Sequence, residues 1–261
     1  MRKFKEIDGW MNETKTEQKM SASLEITPIG IIHSCYTEKF GIPRQPGLAD
    51  KARATIELFG PYGRREMLKE LERFSHIWVH FVFHAAIPEG WRPTVRPPGL
   101  GGQKRVGVFA SRSPHRPNHL GISVVKLIYI DDIDGRVFLE VGGGDFLNES
   151  PVLDIKPYIP YSDSVPGALS GYTDLPAERR IHVSLNEEAE KFCEQYEQKT
   201  GRDLSGLIEQ VLSQDPRPAS QRHAKKTFGF CLWDVNIRWI VQLGSFVVVE
   251  CRSIENSAAF K

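Results

Sequence analysis

The sequence lacks a long apolar segment, a surplus of either charge and any closely spaced cysteines. No apolar run approaches the ~20 residues that a membrane-spanning helix needs, so we expect no association with a membrane. The 34 Lys and Arg residues nearly balance the 33 Asp and Glu residues, so a nucleic-acid site must come from local clustering. The four cysteines, at positions 35, 193, 231 and 251, have neither zinc-ligand nor Cys-x-x-Cys spacing. We therefore expect reduced thiols in a cytoplasmic protein and no metal site.

Alternating strands and helices are also missing from residues 24–172, which argues against the doubly wound nucleotide-binding fold. This part is rich in Pro and Gly turns, and only residues 66–74 have helical spacing. The predicted strands cover residues 26–34, 54–59, 77–84, 106–110, 123–130 and 136–141, with a hairpin turn at 131–135. The pattern predicts a mainly β fold with a small N-terminal β-barrel.

The composition changes after a predicted linker at residues 173–184. Residues 185–199 and 204–212 predict helices, the first of them capped by Asn186 or Ser184, and strands follow at 227–233, 237–243 and 246–252. Residues 185–255 are therefore expected to form a smaller α+β C-terminal domain. Residues 1–23 are polar and lack the apolar core of a signal peptide, so we expect a mobile N-terminal extension there.

The most informative segment is GVFASRSPHRPNHLGISVV, residues 107–125. It runs from one predicted strand through a turn stiffened by two prolines into the next strand. Arg112 and Arg116 lie four residues apart in that turn and could hold two guanidinium forks against a carboxylate or a phosphate. Gly121 allows a close approach that a side chain would block. From composition alone, a rigid strand connection with solvated arginines explains the segment equally well.

Two carboxylates outside that segment are candidates for chemistry. Asp145 follows three glycines, 142–144, which either bring backbone close to a ligand or simply form a flexible turn beside a surface acid. Asp154 and Lys156 share one face of a strand, where they could form a structural ion pair or line a site. Residue types alone leave both pairs of alternatives open.

Positive charge clusters towards the C-terminal end of the chain. Four cations lie within ten residues and a fifth lies between two tryptophans, namely Arg217, Arg222, Lys225, Lys226 and Arg238. Cations interleaved with aromatic residues suit an RNA backbone path with base stacking. The alternative is a solvated loop beside a domain core that contains the tryptophans.

Several segments together resemble one known family. Residues 107–125 resemble the signature of the TsaA-like tRNA methyltransferases (TrmO), usually written ATRSPxRPNPIGLS, and KFGIPRQPGL at residues 39–48 resembles the family's KFGxPRQPGL box. Three more resemblances follow in the family's order: FSHIWV with a nearby FH, WRPTVRPP, and PVLDIKPY. The match covers roughly residues 25–172, and a weaker one continues in QDPRP and DVNIRW. So many long motifs in one order make the resemblance specific.

The resemblance implies a homodimeric enzyme that carries its cofactor pocket on a small β-barrel near the subunit interface. Such an enzyme transfers a methyl group from S-adenosylmethionine to N6 of threonylcarbamoyladenosine at position 37 of tRNA. The family's motifs map the cofactor contacts onto Arg44, Gln45, Pro46, His84, Ala85, Arg112, Ile122, Gly142, Gly143, Gly144 and Asp145. Asp145 or Asp154 is expected to stabilise charge or act as the base, and tRNA contacts are expected at Arg116 and at the C-terminal cations.

Other functions remain open at this point. A non-catalytic regulator on the same barrel would bind S-adenosylmethionine or RNA without transferring a methyl group. An enzyme that acts on a small molecule would not need the C-terminal cations.

The chain departs from the family pattern in three places beside the expected site. His119 stands where proline is usual, so the constraint of the proline ring is lost. Residues 148–150, Asn-Glu-Ser, replace Asp-Gly-Thr, and a triple glycine precedes Asp145 where other members carry larger residues. These changes could alter affinity or substrate.

Overall fold

The structure, a computed structural model, describes residues 24–97, 100, 104–172 and 181–254. The expected N-terminal extension and residues 173–180 of the expected linker lie outside the described residues. In the described part, no helix has both the length and the apolar character needed to cross a membrane.

Six antiparallel strands close into a barrel, which confirms the predicted mainly β fold. The N-terminal strands are β1 (Gly30–Ser34), β2 (Arg53–Leu58), β3 (His76–Val82), β4 (Thr94–Val95), β5 (Val106–Gly107), β6 (Leu120–Ile133), β7 (Arg136–Gly142) and β8 (Ser150–Pro157). The barrel order is β1-β2-β7-β6-β3-β8, while β4 and β5 form a separate two-stranded ribbon. A four-residue helix, α1 (Pro160–Asp163), follows the last barrel strand.

Buried and half-buried side chains alternate along the barrel strands, and the buried ones form the barrel core. In β3, Ile77, Val79 and Phe81 are buried inside the barrel, while the residues between them are half-buried on the outer face. The same two-residue period recurs in β2 and β7, so each strand contributes one apolar face. The inward faces pack as one cluster, and burying it supplies the main stabilising term of this domain.

The predicted helix at residues 66–74 is wrong. Two short 3-10 helices, Arg65–Leu68 and Leu71–Arg73, replace it, because Glu70 between them has a left-handed φ of 69° that no α-helix accommodates. The strands predicted at 77–84 and 106–110 also end earlier, each passing into a 3-10 helix. One of these 3-10 helices follows the barrel strand β3 and the other follows the ribbon strand β5.

The C-terminal domain is an α+β unit, as predicted. It contains β9 (Val183–Leu185), α2 (Glu187–Thr200), α3 (Leu204–Ser213), β10 (Phe228–Leu232), β11 (Val235–Gln242) and β12 (Ser245–Ser253). Asn186 caps α2, its side-chain oxygen accepting from the Ala189 N–H at 2.9 Å. The sheet order is β10-β11-β12-β9. Because β9 pairs with β12, the last residues of the predicted linker belong to this sheet.

The loop after β1 joins the two domains. Cys35 and Tyr36 are buried in the same apolar cluster as the core of the C-terminal domain. The Trp233 N–H donates to the Cys35 carbonyl oxygen at 2.7 Å, and Lys51 pairs with Asp203 at 2.8 Å. Residues 39–48, which the loop carries, are thus held between barrel and C-terminal domain.

Candidate functional site

A cavity of about 420 Å³ opens beside one end of the barrel. Four segments that are distant in sequence line it: 39–45, the end of β3 with the 3-10 helix His84–Glu89, the signature loop 112–123, and 145–150. The volume lies within the usual range of small-molecule sites, roughly 300–1,000 Å³. The cavity therefore has room for a cofactor-sized ligand.

The signature loop contributes two guanidinium groups to this cavity. Arg112 Nη1 donates to Gln45 Oε1 at 2.6 Å, which connects the loop to segment 39–45. Arg116 is half-buried, and its Nη1 reaches the Ser111 carbonyl oxygen at 3.4 Å. Each of the two guanidinium groups has N–H donors that find no acceptor among the described residues. These donors can bind a ligand carboxylate.

Gly121 allows an aromatic ring to lie against the signature strand. Phe81 is its cross-strand partner, and a methyl group at Gly121 would lie 2.7 Å from two of the Phe81 ring carbons. Phe81 also packs edge-to-face on Phe83 and Phe146, with ring centroids 5.0 Å apart in each case. Phe81 and Phe83 line the cavity, so this packing builds its apolar wall.

Asp145 is a largely buried carboxyl group that lines the cavity. The Ser123 hydroxyl donates to its Oδ1 at 2.5 Å. Burial raises the pKa of Asp145, and the Ser123 bond and the charge of Arg112 oppose that rise without cancelling it. No described cation lies within ion-pair distance of this carboxyl, so a positively charged ligand group would complement it.

Glu89 connects three of the four lining segments. It accepts from the Lys39 ammonium, and the Nε2 atom of His115 lies 2.8 Å from its other oxygen. Lys39 also donates to the Ala85 carbonyl oxygen at 2.9 Å. The bonds from Lys39 and then His115 lower the pKa of Glu89 to about 2. The carboxylate therefore stays ionised and holds the segments together around the cavity mouth.

The cavity brings together most of the predicted cofactor contacts. Those that line it are Arg44, Gln45, His84, Ala85, Arg112, Ile122 and Asp145, and the predicted RNA contact Arg116 lines it as well. His84 lies beside Ser150, with 3.5 Å between Nδ1 and Oγ. Residues predicted from four separate motifs thus meet in one place, although no single motif shows that they would.

Pro46 and the three glycines 142–144 do not line the cavity. The Gly143 N–H donates to the Ala52 carbonyl oxygen at 2.9 Å, and the Gly143 carbonyl oxygen accepts from the Gly47 N–H at 2.8 Å. Gly144 packs so closely on Phe146 that a methyl group would come within 2.6 Å of its ring. Gly143 therefore supports the loop at Gly47, and Gly144 packs on an aromatic ring of the barrel core.

Asp154 also lies outside the cavity. It is on β8, half exposed, and it pairs with Lys156 two residues away, as the ion-pair alternative predicted. Among the described residues there is no group of three or more His, Cys, Asp or Glu side chains arranged to hold a metal ion.

The predicted RNA contacts divide into exposed and buried groups. Arg222, Lys225 and Lys226 are exposed on the loop before β10. Arg217 is only 7% exposed: its Nε donates to Asp215 at 2.7 Å and its guanidinium lies 4.7 Å from the centre of a buried aromatic ring. The expected RNA contact of Arg217 therefore does not fit its position, because the side chain belongs to the domain core.

The other expected RNA features, Arg238 and the two tryptophans, are in ion-pair or core positions. Arg238 is exposed on β11, where it pairs with Glu250 at 3.3 Å. Trp233 and Trp239 are both buried in the domain core, so neither offers a face to a base. The alternative of a tryptophan-containing core is the one the structure shows.

Two of the three sequence departures include a non-glycine residue with a left-handed backbone. His119 has a φ of 50°, which proline cannot adopt, and its N–H donates to the Arg116 carbonyl oxygen at 3.0 Å. Glu149 replaces the family's glycine yet keeps a φ of 64°. Its N–H donates to the Ile32 carbonyl oxygen at 2.8 Å, a bond that helps maintain this conformation.

Sequence reasoning missed Glu89, His115 and Ser123 as cavity residues. The only signal for His115 and Ser123 was their place inside the signature segment. Nothing in the sequence links Glu89 to Lys39 or to His115, since the three residues meet only in the folded chain.

Comparisons with known proteins agree with this geometry. The family described as "tRNA-methyltransferase O N-terminal domain" matches residues 31–164, and the family "TrmO C-terminal domain" matches residues 178–254. The Escherichia coli (strain K12) protein named tRNA (adenine(37)-N6)-methyltransferase is 42% identical over 229 residues, which are 87% of this chain and 97% of that protein. A Pseudomonas aeruginosa protein named putative S-adenosylmethionine-dependent methyltransferase RcsF is 46% identical over 215 residues, 82% of this chain and 91% of that protein.

The same relationship appears in three dimensions. The crystal structure of TrmO from Pseudomonas aeruginosa superposes with a TM-score of 0.74 at 38% sequence identity, covering 89% of this chain and 100% of that one. The order of motifs, the barrel with its α+β companion and both family matches therefore agree, and the chain belongs to the tRNA-methyltransferase O family.

Proposed function

We propose that this protein transfers a methyl group from S-adenosylmethionine to N6 of threonylcarbamoyladenosine at position 37 of tRNA. One observation carries the proposal: residues predicted from four separate family motifs converge on a single cavity of about 420 Å³. The names of the E. coli and P. aeruginosa relatives support the reaction and the cofactor, respectively.

The residues of the cavity fit the cofactor chemically. S-adenosylmethionine carries a sulfonium cation, a carboxylate and a flat apolar adenine, and when bound it supplies an electrophilic methyl group. Asp145, a buried carboxyl without a described ion-pair partner, complements the sulfonium charge. Arg112 and Arg44 offer donors for the carboxylate, and Phe83 with Ile122 provides apolar surface for the adenine.

Asp145 is also the best-placed proton acceptor. The N6 nitrogen of a ureido group is a weak nucleophile because its lone pair is delocalised, so a base that takes its proton assists the transfer. Burial makes the Asp145 carboxylate more basic than an exposed one, and the Ser123 hydroxyl holds it in place. Asp154 does not fit this role, because it lies outside the cavity and pairs with Lys156.

The C-terminal loop is proposed to guide the tRNA backbone towards the cavity. Its exposed cations are Arg222, Lys225 and Lys226. Arg44, at the cavity rim, lies close enough to Arg222 for the second charge to depress its pKa, after the larger effect of burial. A phosphate path along these cations is part of the proposal, with some of the Arg222 charge offset by Asp215 at 3.7 Å.

A homodimer in the cytoplasm is part of the same proposal. Large apolar side chains are exposed on segments that line the cavity or flank them in sequence: Ile122 at 45% lines it, Phe109 at 79% lies three residues before Arg112, and Trp91 at 60% lies two residues after Glu89. An exposed apolar surface of this kind suits a subunit interface. Sedimentation velocity tests this, since a monomer at micromolar concentration contradicts the dimer.

The decisive experiment incubates the full chain with methyl-labelled S-adenosylmethionine and tRNA. Label should enter tRNA that carries threonylcarbamoyladenosine at position 37 and should not enter the same tRNA with unmodified adenosine. Cofactor binding without any transfer would favour the regulator instead. A double variant of Lys225 and Lys226 to Ala should reduce transfer, whereas unchanged turnover would favour a small-molecule substrate.

A further inference from the structure

The cavity holds more positive charge than a single ligand carboxylate can neutralise. Two carboxylates line it, Glu89 and Asp145. They face four permanent cations, which are Lys39, Arg44, Arg112 and Arg116. S-adenosylmethionine carries one carboxylate against an ammonium and a sulfonium, so it adds positive charge, and a second anionic ligand group would offset it.

Three of the four cations are accounted for. Glu89 neutralises Lys39. Arg44 is directed towards the C-terminal domain, where its Nη2 donates to the Asp215 carbonyl oxygen at 3.4 Å. Arg112 is held by the Gln45 side chain, and in the proposed function its remaining donors bind the cofactor carboxylate.

Arg116 differs from Arg44 and Arg112, which also make one side-chain bond each, because those two are exposed and Arg116 is not. It is half-buried, and in the described residues its guanidinium makes a single long bond, from Nη1 to the Ser111 carbonyl oxygen at 3.4 Å. A guanidinium has five N–H donors, so most of them lack an acceptor. Partial burial of a cation without acceptors is unfavourable, and a planar carboxylate that binds through both oxygens would relieve it.

Resting on the function proposed above, we propose that Arg116 binds the threonyl carboxylate of the substrate nucleotide. Arg116 is a specificity residue in this assignment, because it recognises the group that distinguishes threonylcarbamoyladenosine from adenosine. A backbone phosphate is the less suitable ligand, since phosphates lie on the outside of an RNA and meet exposed cations such as Lys225 and Lys226.

The test compares two synthetic anticodon stem-loops with full-length protein in the absence of cofactor. One carries threonylcarbamoyladenosine at position 37, and the other carries the same nucleotide with its carboxylate converted to the primary amide. Wild type should bind the acid form about 10- to 100-fold more tightly by fluorescence anisotropy, as expected for a charge-assisted bidentate pair. Arg116→Gln should bind both forms equally, while Arg65→Gln, an exposed arginine outside the cavity, should keep the wild-type preference.

Each result decides the assignment. A preference in Arg116→Gln as large as in wild type overturns it, and so does an equal weakening of both RNAs, which indicates a phosphate contact. Should Arg116→Gln fail to fold, Arg116→Lys serves in its place and should retain only part of the preference, because lysine keeps the charge without the fork. A second assay adds S-adenosylmethionine to the same two RNAs. Wild type that methylates neither RNA contradicts the proposed function itself. Wild type and Arg116→Gln that both methylate the acid form over the amide form by the same factor contradict only the role of Arg116.

Discussion

Replacing Gly121 with Ala should destabilise the barrel and damage the cavity together. The added methyl group would lie 2.7 Å from Cε1 and Cε2 of Phe81 and closer still to Cζ. Phe81 is 2% exposed and is held edge-to-face by Phe83 and Phe146, so its ring cannot move away without disturbing both neighbours. Overpacking of this kind costs about 1–3 kcal/mol.

A smaller effect opposes that cost. Alanine restricts the unfolded chain more than glycine, which stabilises a protein by about 0.4–1 kcal/mol where the backbone conformation suits alanine. The two ranges leave a net loss of about 0–2.6 kcal/mol. Because the Phe81 ring is fixed by two neighbours, we expect the upper part of that range, about 1–2.6 kcal/mol, or a fall in melting temperature of roughly 2–10 °C for a chain of this size. Binding of S-adenosylmethionine should weaken as well, because Phe81 and Gly121 both line the cavity.

Gly107→Ala is the matched control. Gly107 has a φ of −58°, and within the described residues no atom lies close enough to crowd an added methyl group. Thermal denaturation should therefore leave this variant unchanged or slightly more stable, and calorimetry should show wild-type cofactor affinity. The reasoning is refuted if Gly121→Ala melts within a degree of wild type, since the Phe81 ring would then have room to spare.

Three further outcomes are expected. Asp145→Asn should melt higher than wild type at neutral pH, because burial raises the pKa of this carboxyl. The difference in melting temperature should vanish below the unfolded pKa of ~3.9 and widen as the pH rises above it. A difference that does not depend on pH would contradict this. Glu89→Gln should lower cofactor affinity about two- to ten-fold with little change in melting temperature, since its partners Lys39 and His115 lie at the surface of the cavity mouth. Unchanged affinity by calorimetry would show that these bonds do not shape the cavity. Arg217→Ala should cost about 1–3 kcal/mol in urea denaturation, because half-buried Asp215 loses its closer partner and keeps only Arg222 at 3.7 Å. Wild-type stability of this variant would show that Arg217 does not contribute to the domain core.

Local patterns determined much of the fold. The two-residue alternation of β3 and the capping of α2 by Asn186 depend on neighbours in sequence, so they could be predicted without the fold. At residues 66–74 the apolar spacing predicts a helix that does not form, because the backbone at Glu70 is left-handed. The three-residue strand β9 likewise exists only because β12 offers it an edge for parallel pairing.

Long motifs in a fixed order are enough to identify the family and most of the residues that gather at the site. Which of these residues face the cavity depends on the folded chain. Asp145 and Asp154 are both candidate acids by sequence, yet Asp145 lies beside Ser123 in the cavity and Asp154 pairs with Lys156 outside it. Arg217 belongs to the same cluster of cations in the sequence as exposed Arg222, Lys225 and Lys226, but its side chain lies in the domain core. The direction of a side chain and the identity of its partner depend on residues far away in the chain, and those meet only on folding.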